Sequence, residues 1–394
     1  MSTGPHAEVV AGFVAPGFEP IAEEFDRNFA LRGEAGAAFS AYVDGELIVD
    51  LWGGVADAEA GRRWRKDTLQ LVFSGTKGLV ATCLLVLLDR GELCLDAPVC
   101  EYWPEFAANG KETISVAELA SHRARLPGIR SPLAAADLVD DRRLAALLAE
   151  QPPETDQRAA RMYHPLTYGW LCGELVRQVS GRSVGRFFAK EIAAPLQLEV
   201  WIGLPNAMEP RVSMLSYGPG WGANPAYGPG SAGGDQLQAM VWANPPIFPP
   251  DEPLWNRRAL HAAEIPGVNG IGTARSMARL YGCLARGGEL EGARLASSEA
   301  IDLARTELAR FREPFVGEPI AYGVGFQLQT EARVFGPPAE AFGHTGAGGS
   351  VHAAWPEERV GLSYVMNQMR DDPAGDPRSQ ALLDVLYEAV RRRS

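Results

Sequence analysis

Residues 79–88, Leu-Val-Ala-Thr-Cys-Leu-Leu-Val-Leu-Leu, are apolar on every side of a helix. Such a helix has no face for water, so other elements must enclose it. The run is too short to cross a bilayer, which leaves a protein interior as its place. A chain of 394 residues, 46% hydrophobic and 22% charged, can build that enclosure and spread over two lobes.

Ser74-Gly75-Thr76-Lys77 stands at the head of this run. A helix starting at Ser74 sets Ser74 and Lys77 on one face and aims free backbone N–H groups at its first turn. Their partial positive charge favours an oxyanion and disfavours an ammonium. The apolar surroundings desolvate the amine and lower its pKa further. Only four of the 37 lysines and arginines are lysine, and arginine cannot give up a proton. A lysine placed here is suited to titrate, so Ser74 is the candidate nucleophile and Lys77 its activator. The same residues also suit a helix N-cap followed by a surface lysine, and partners elsewhere in the chain must decide.

Residues 18–34 have the spacing of an amphipathic helix. Alternation on both sides of Asp44-Gly45 predicts a β-hairpin ending at Trp52-Gly53-Gly54. Helical periodicity then dominates residues 116–122, 137–150, 168–179, 184–196, 274–286 and 297–311. Strand patterns return at 322–328, 342–355 and 360–367, before a last helix over 380–391. The expected fold is α/β (α+β): one antiparallel sheet assembled from both chain ends and flanked by helices, with a mostly helical lobe inserted. Residues 1–77 and 311–394 are expected to form the sheet domain and 78–310 the helical one. Within the latter, residues 205–266 form a Gly/Pro-rich loop whose Trp221, Tyr227 and Phe248 are expected to shape a substrate pocket.

A serine–lysine pair needs a proton carrier and oxyanion donors. Tyr163, in Met162-Tyr163-His164-Pro165, is the candidate carrier, because a cationic Lys77 beside it would lower its phenol pKa. Phe342-Gly343-His344-Thr345-Gly346-Ala347-Gly348-Gly349-Ser350 carries more glycine than a strand tolerates unless a ligand or another backbone comes close. An acyl group lying along it could direct its carbonyl oxygen to the Ser74 and Ala347 N–H groups. A glycine-rich bulge without a ligand would read the same way.

Taken together, Ser74-Gly75-Thr76-Lys77, Tyr163-His164-Pro165 and His344-Thr345-Gly346 resemble the three motifs of the serine β-lactamase and penicillin-binding protein superfamily, most nearly class C β-lactamases and family VIII carboxylesterases. Asp44-Gly45-Glu46, Leu51-Trp52-Gly53-Gly54, Leu95-Asp96-Ala97-Pro98-Val99, Tyr102-Trp103-Pro104-Glu105-Phe106 and Tyr168-Gly169-Trp170-Leu171 are similar to family VIII sequence as well, and the likeness spans residues 20–390. It implies that Ser74 is acylated, that Lys77 and Tyr163 move protons, that the Ser74 and Ala347 amides form an oxyanion hole, and that His344, Thr345 and Gly346 meet the substrate. Pro165 replaces the asparagine of class C enzymes, and His344 replaces the lysine that pairs with a lactam carboxylate. A mostly neutral imidazole does that poorly. In His122-Arg123-Ala124-Arg125-Leu126-Pro127, Arg125 occupies a position where glycine is usual.

The expected activity is hydrolysis of short-chain carboxylic esters through an acyl-enzyme on Ser74. The alternatives are a β-lactamase or D-alanyl peptidase, an acyltransferase using the same intermediate, and a non-catalytic binding module. A net charge of −12 argues against nucleic acid and anionic membranes as partners, leaving a small-molecule ester. No C-x-x-C or H-E-x-x-H pattern suggests a metal, and no cofactor is expected. The first residues have neither a basic nor an apolar run, and the five cysteines are odd in number, so a cytoplasmic location is expected. Gly181-Arg182-Ser183-Val184-Gly185 fits G-x-S-x-G, but a helix precedes it where a nucleophile elbow needs a strand. His122, His164, His261 and His352 are expected to be structural.

Overall fold

The computed structural model describes residues 10–222, 234–251, 253–372 and 375–393. Its main element is an antiparallel sheet made from the two ends of the chain. The first three strands are β1 (Val10–Val14), β2 (Gly36–Val43) and β3 (Glu46–Asp57). The later ones are β4 (Ala309–Arg312), β5 (Pro319–Tyr322), β6 (Gln327–Leu328), β7 (Phe342–Thr345), β8 (Val351–Trp355) and β9 (Val360–Met366). Their order across the sheet is β1-β3-β2-β9-β8-β7-β6-β5-β4, with a short strand at Arg62–Arg63 beside β3. The seam between the chain ends is the β2–β9 pair, from Val43 opposite Val360 to Ala37 opposite Met366.

Asp44 and Gly45 both have positive φ, 51° and 88°, at the turn between β2 and β3. This is the backbone a tight two-residue hairpin requires. The hairpin outlasts Trp52-Gly53-Gly54, because β3 continues to Asp57.

Period-two alternation assigns the two faces of the sheet. Phe39, Ala41, Val49, Leu51, Ala353, Trp355, Leu362 and Tyr364 pack against α1 (Glu19–Leu31) and the final helix Pro377–Arg391. Ala354, Val365 and Phe342 face the other way, into a larger core built around α2 (Thr76–Asp89). Every residue of α2 from Thr76 to Leu87 is buried. Each enclosed Leu or Val contributes about 1.5–3 kcal/mol, so α2 anchors both the sheet and the helices beyond it. Those helices include α3 (Asp141–Glu150) and α4 (Thr167–Ser180). Next comes α5 (Ala274–Ala285), which lies directly on β9 and β2. A Cβ at Gly361 would run into the Gly282 backbone, so strand and helix cross glycine against glycine. The final helix, Pro377–Arg391, is α6.

The helix expected over 297–311 is shorter: it spans Ser298–Ala304, and Ala309–Arg312 forms edge strand β4. Ala309 and Phe311 are buried while Arg310 and Arg312 are exposed, an alternation that only a strand gives. Among the described residues no helix is long and apolar enough to cross a membrane.

Candidate active site

The α-helix begins at Thr76, not at Ser74, and a 3-10 turn over Phe73–Gly75 carries the serine in front of it. Phe73 enters this turn with φ +46°, a costly conformation for an aromatic residue. Several contacts hold it there. The Val72 N–H donates to Gly270 O at 2.9 Å, and Thr76 Oγ1 donates to Phe73 O at 2.6 Å. The Phe73 ring packs edge-on against buried Trp255. Gly75 has no room for a side chain, since a Cβ would strike the His352 ring.

Lys77 is fully buried, with Nζ 3.2 Å from Ser74 Oγ. It donates to two backbone carbonyls, Pro165 O at 2.7 Å and Gly267 O at 2.8 Å. Burial holds its pKa well below the ordinary lysine range. Tyr163 reaches the serine from the opposite side, and its hydroxyl donates to Ser74 Oγ at 2.7 Å. The expectation that Lys77 lowers the Tyr163 pKa is corrected: burial raises it, and the hydrogen bond with Ser74 offsets only part of the rise. A neutral amine offers no cation to stabilise a phenolate.

Two buried histidines brace Tyr163. The His164 N–H donates to His122 Nδ1 at 3.1 Å, and the Leu126 N–H donates to His164 Nε2 at 3.3 Å. His164 Nδ1 therefore carries the proton and donates to Met162 O at 2.7 Å. Burial lowers the pKa of His164 to about 4 and that of His122 well below its ordinary value, so both are neutral. His261 pairs with Glu209 at 2.9 Å and binds Trp255 O through its other nitrogen, outside the cavity.

The third segment lies against the serine turn. A Cβ at Gly346 would strike Val72 O, and Gly346 N donates to Ser350 O at 2.9 Å. Ala347 sits between these constrained glycines, and its N–H meets no acceptor among the described residues. His344 is buried with Nδ1 2.8 Å from Thr345 O, and burial lowers its pKa to about 3. It brings an uncharged ring to the position where a fixed cation would stand. Thr345 Oγ1 donates to Gln327 Oε1 at 3.2 Å.

Ser74, Tyr163, Pro165 and the His344–Ser350 segment line a cavity of about 800 Å³, walled also by Phe73, Trp242, Ile247, Phe248, Val268 and Tyr322. Phe248 lies where the sequence placed it. Trp221 does not reach the wall: it stacks on Tyr217 with centroids 5.4 Å apart and meets Phe248 edge-on at 5.1 Å, one layer behind. Tyr227 lies outside the described residues.

Sequence reasoning missed Gly267 and the Pro165 carbonyl as the socket of Lys77, because a backbone acceptor leaves no residue-type signal. It also missed Arg378, which is fully buried and donates to Glu34 Oε1 at 2.9 Å, Asp376 Oδ2 at 2.6 Å and Gly348 O at 3.2 Å. Arg378 thereby ties the glycine segment to α6. Ser183, within G-x-S-x-G, follows helix α4 and donates to Glu264 at 2.7 Å, as a link between helices would.

The sequence profile of the beta-lactamase family matches residues 25–387. The chain belongs to that family. It is 34% identical over 393 residues to the esterase/beta-lactamase LipL of Mycobacterium tuberculosis (strain ATCC 25618 / H37Rv), covering 93% of this chain and 85% of LipL. Among solved structures, a family VIII carboxylesterase superposes with a TM-score of 0.87 at 38% identity, over 96% of this chain and 99% of that one. A penicillin-binding protein homologue from Caulobacter crescentus gives 0.86 at 36% identity, over 96% and 99%. This beta-lactamase family member is thus an esterase/beta-lactamase-type hydrolase with the mixed α/β fold of its relatives.

Proposed function

We propose that this family member is a serine carboxylesterase that works through an acyl-enzyme on Ser74. One observation carries the reading: the Tyr163 hydroxyl and the Lys77 amine approach Ser74 Oγ at 2.7 and 3.2 Å on the wall of an aromatic-rich cavity. A neutral Lys77 has two N–H bonds, which the Pro165 and Gly267 carbonyls take up, and one lone pair left for the Ser74 hydroxyl. Lys77 is therefore the first base. Its nitrogen takes the Ser74 proton as Oγ attacks the ester carbon, and the Ser74 and Ala347 N–H groups hold the resulting oxyanion. Tyr163, kept protonated by burial, gives its proton to the leaving alkoxide as the C–O bond breaks. The Lys77 ammonium, 4.8 Å from the Tyr163 ring centroid, then restores the phenol. Water repeats the sequence on the acyl-enzyme and releases the acid.

An ester is favoured over a β-lactam because His344 is uncharged and Pro165 has no side-chain amide. The esterase named in the LipL relative and in the family VIII structure supports the same choice. The five unpaired cysteines accord with a cytoplasmic enzyme.

The test is a fluorophosphonate probe followed by peptide mass mapping, beside a panel of short-chain esters and cephalosporins. The probe should add its mass at Ser74, and esters should turn over far faster than cephalosporins. Ser74→Ala should leave less than about a thousandth of wild-type turnover; a larger residue would contradict the mechanism.

A further inference from the structure

The turn between β4 and β5 carries two carboxylates, Glu313 and Glu318, and both line the Ser74 cavity. Glu313 is only 5% exposed. One of its oxygens caps the turn, accepting from the Phe315 and Val316 N–H groups at 2.6 and 2.8 Å. The other, Oε1, is buried and has no hydrogen-bond partner among the described residues. A buried carboxylate oxygen left unpaired costs free energy, and structures normally satisfy such atoms. Glu318 adds a second carboxylate to the same wall. Burial raises the pKa of both, Glu318 pushes that of Glu313 up further, and among the described residues no cation offsets either. The cavity's arginine, Arg370, is bonded through its backbone to Gly348 O on the glycine segment, and it is not among the groups acting on Glu313 or Glu318.

This wall shares the cavity with Ser74 and Tyr163, with Tyr322 of strand β5 between them. The Tyr322 ring stacks parallel to that of Tyr163 with centroids 6.3 Å apart. Glu318 precedes Tyr322 by four residues of nearly continuous strand, about 13 Å at ~3.3 Å per residue. We propose that Glu313 and Glu318 form a subsite for a substrate's ammonium or other cationic group, so that the enzyme favours esters carrying a positive charge on the order of 10 Å from the scissile carbonyl. The inference rests on the esterase reading and names its substrate class.

The test uses three 4-nitrophenyl esters of matched length: the 8-aminooctanoate, the nonanoate and the suberate half-ester. A parallel series carries the same three end groups on the alcohol side of a butyrate. At low ionic strength the cationic ester of at least one series should exceed its anionic counterpart in kcat/KM by about tenfold or more, the effect of one partly screened ion pair. In Glu318→Gln, and in Glu313→Gln, which keeps an oxygen for the turn, that ratio should fall to within about threefold. A wild-type ratio near one in both series, or a ratio that neither variant moves, would overturn the subsite. Failure of the wild type to hydrolyse short-chain esters such as 4-nitrophenyl butyrate would instead overturn the esterase reading itself.

Discussion

Replacing Arg378 by methionine keeps much of its length and removes its charge. In the native protein the guanidinium touches Glu34 and Asp376, whose side chains are 0% and 5% exposed, together with the carbonyls of Gly348 and Gln368. Arg378→Met therefore strands two carboxylates inside the protein, one of them fully buried. Breaking a buried pair from one side costs about 3–5 kcal/mol, and the Gln368 carbonyl left without its guanidinium donor points the same way. Urea unfolding followed by circular dichroism should show a loss of this size with the slope unchanged. Adding Glu34→Gln, which removes one stranded charge, should recover part of it. Catalysis should fall as well, because the Gly348 carbonyl lies only two peptides beyond the one that carries the Ala347 N–H, the proposed oxyanion donor. A shift of that N–H by a fraction of an ångström should lower kcat by about 10–100-fold with little change in KM. A loss below about 1 kcal/mol, or a double variant less stable than the single one, would refute the reasoning.

Three further outcomes follow from particular contacts. With Lys77 as the proposed base and its pKa depressed by burial, kcat/KM should rise with pH along a limb well below the ~10.4 of ordinary lysine. Stability should rise with pH between the depressed and the ordinary value, since the unfolded chain holds the proton there and the folded one does not; a rate limb near 10 would sink the assignment of Lys77 as base. Gly361→Ala drives a methyl group into the Gly282 backbone, where no side chain can yield. It should cost about 1–3 kcal/mol or more in urea unfolding, and an unchanged midpoint would show that helix α5 is free to move off the sheet. Arg125 has φ +57° and ties its guanidinium to the Glu154, Thr155 and Asp156 carbonyls at 2.7, 3.3 and 3.1 Å. Arg125→Ala keeps the strain and loses the ties, so Arg125→Gly should be the more stable of the two by about 1 kcal/mol; equal thermal midpoints would contradict this.

The features legible in the sequence are those fixed by local chemistry. Asp44-Gly45 announces its hairpin because few residues accept positive φ in succession. Helix α2 declares its burial because no side of it is polar. The Ser74, Tyr163 and His344 segments could be recognised together because each carries an unusual group of residues. What escaped notice depends on partners distant in the chain. Gly267 meets Lys77 through a carbonyl 190 residues further on, and any residue type supplies a carbonyl. Ala309 and Phe311 are two residues apart, a spacing that a short window assigns to a helix or a strand equally well; pairing with Tyr322 and Ile320 decides for the strand. Arg125 looked out of place for a glycine-type turn, and only its guanidinium contacts show how the chain retains that turn. Trp221 and Phe248 read alike as loop aromatics, although one lines the cavity and the other supports it from behind.

The seam between β2 and β9 also governs when the enzyme can first work. During synthesis the β2–β3 hairpin leaves the ribosome more than 300 residues before its neighbour β9 (Val360–Met366) exists. Meanwhile α2, with its lysine and the serine turn in front of it, has no β7 to rest against. A nascent chain stopped anywhere before residue 360 leaves the edge of β2 unpaired. The proposed nucleophile is thus translated well before the strand that closes the seam, and until then the growing chain is a natural client for chaperones.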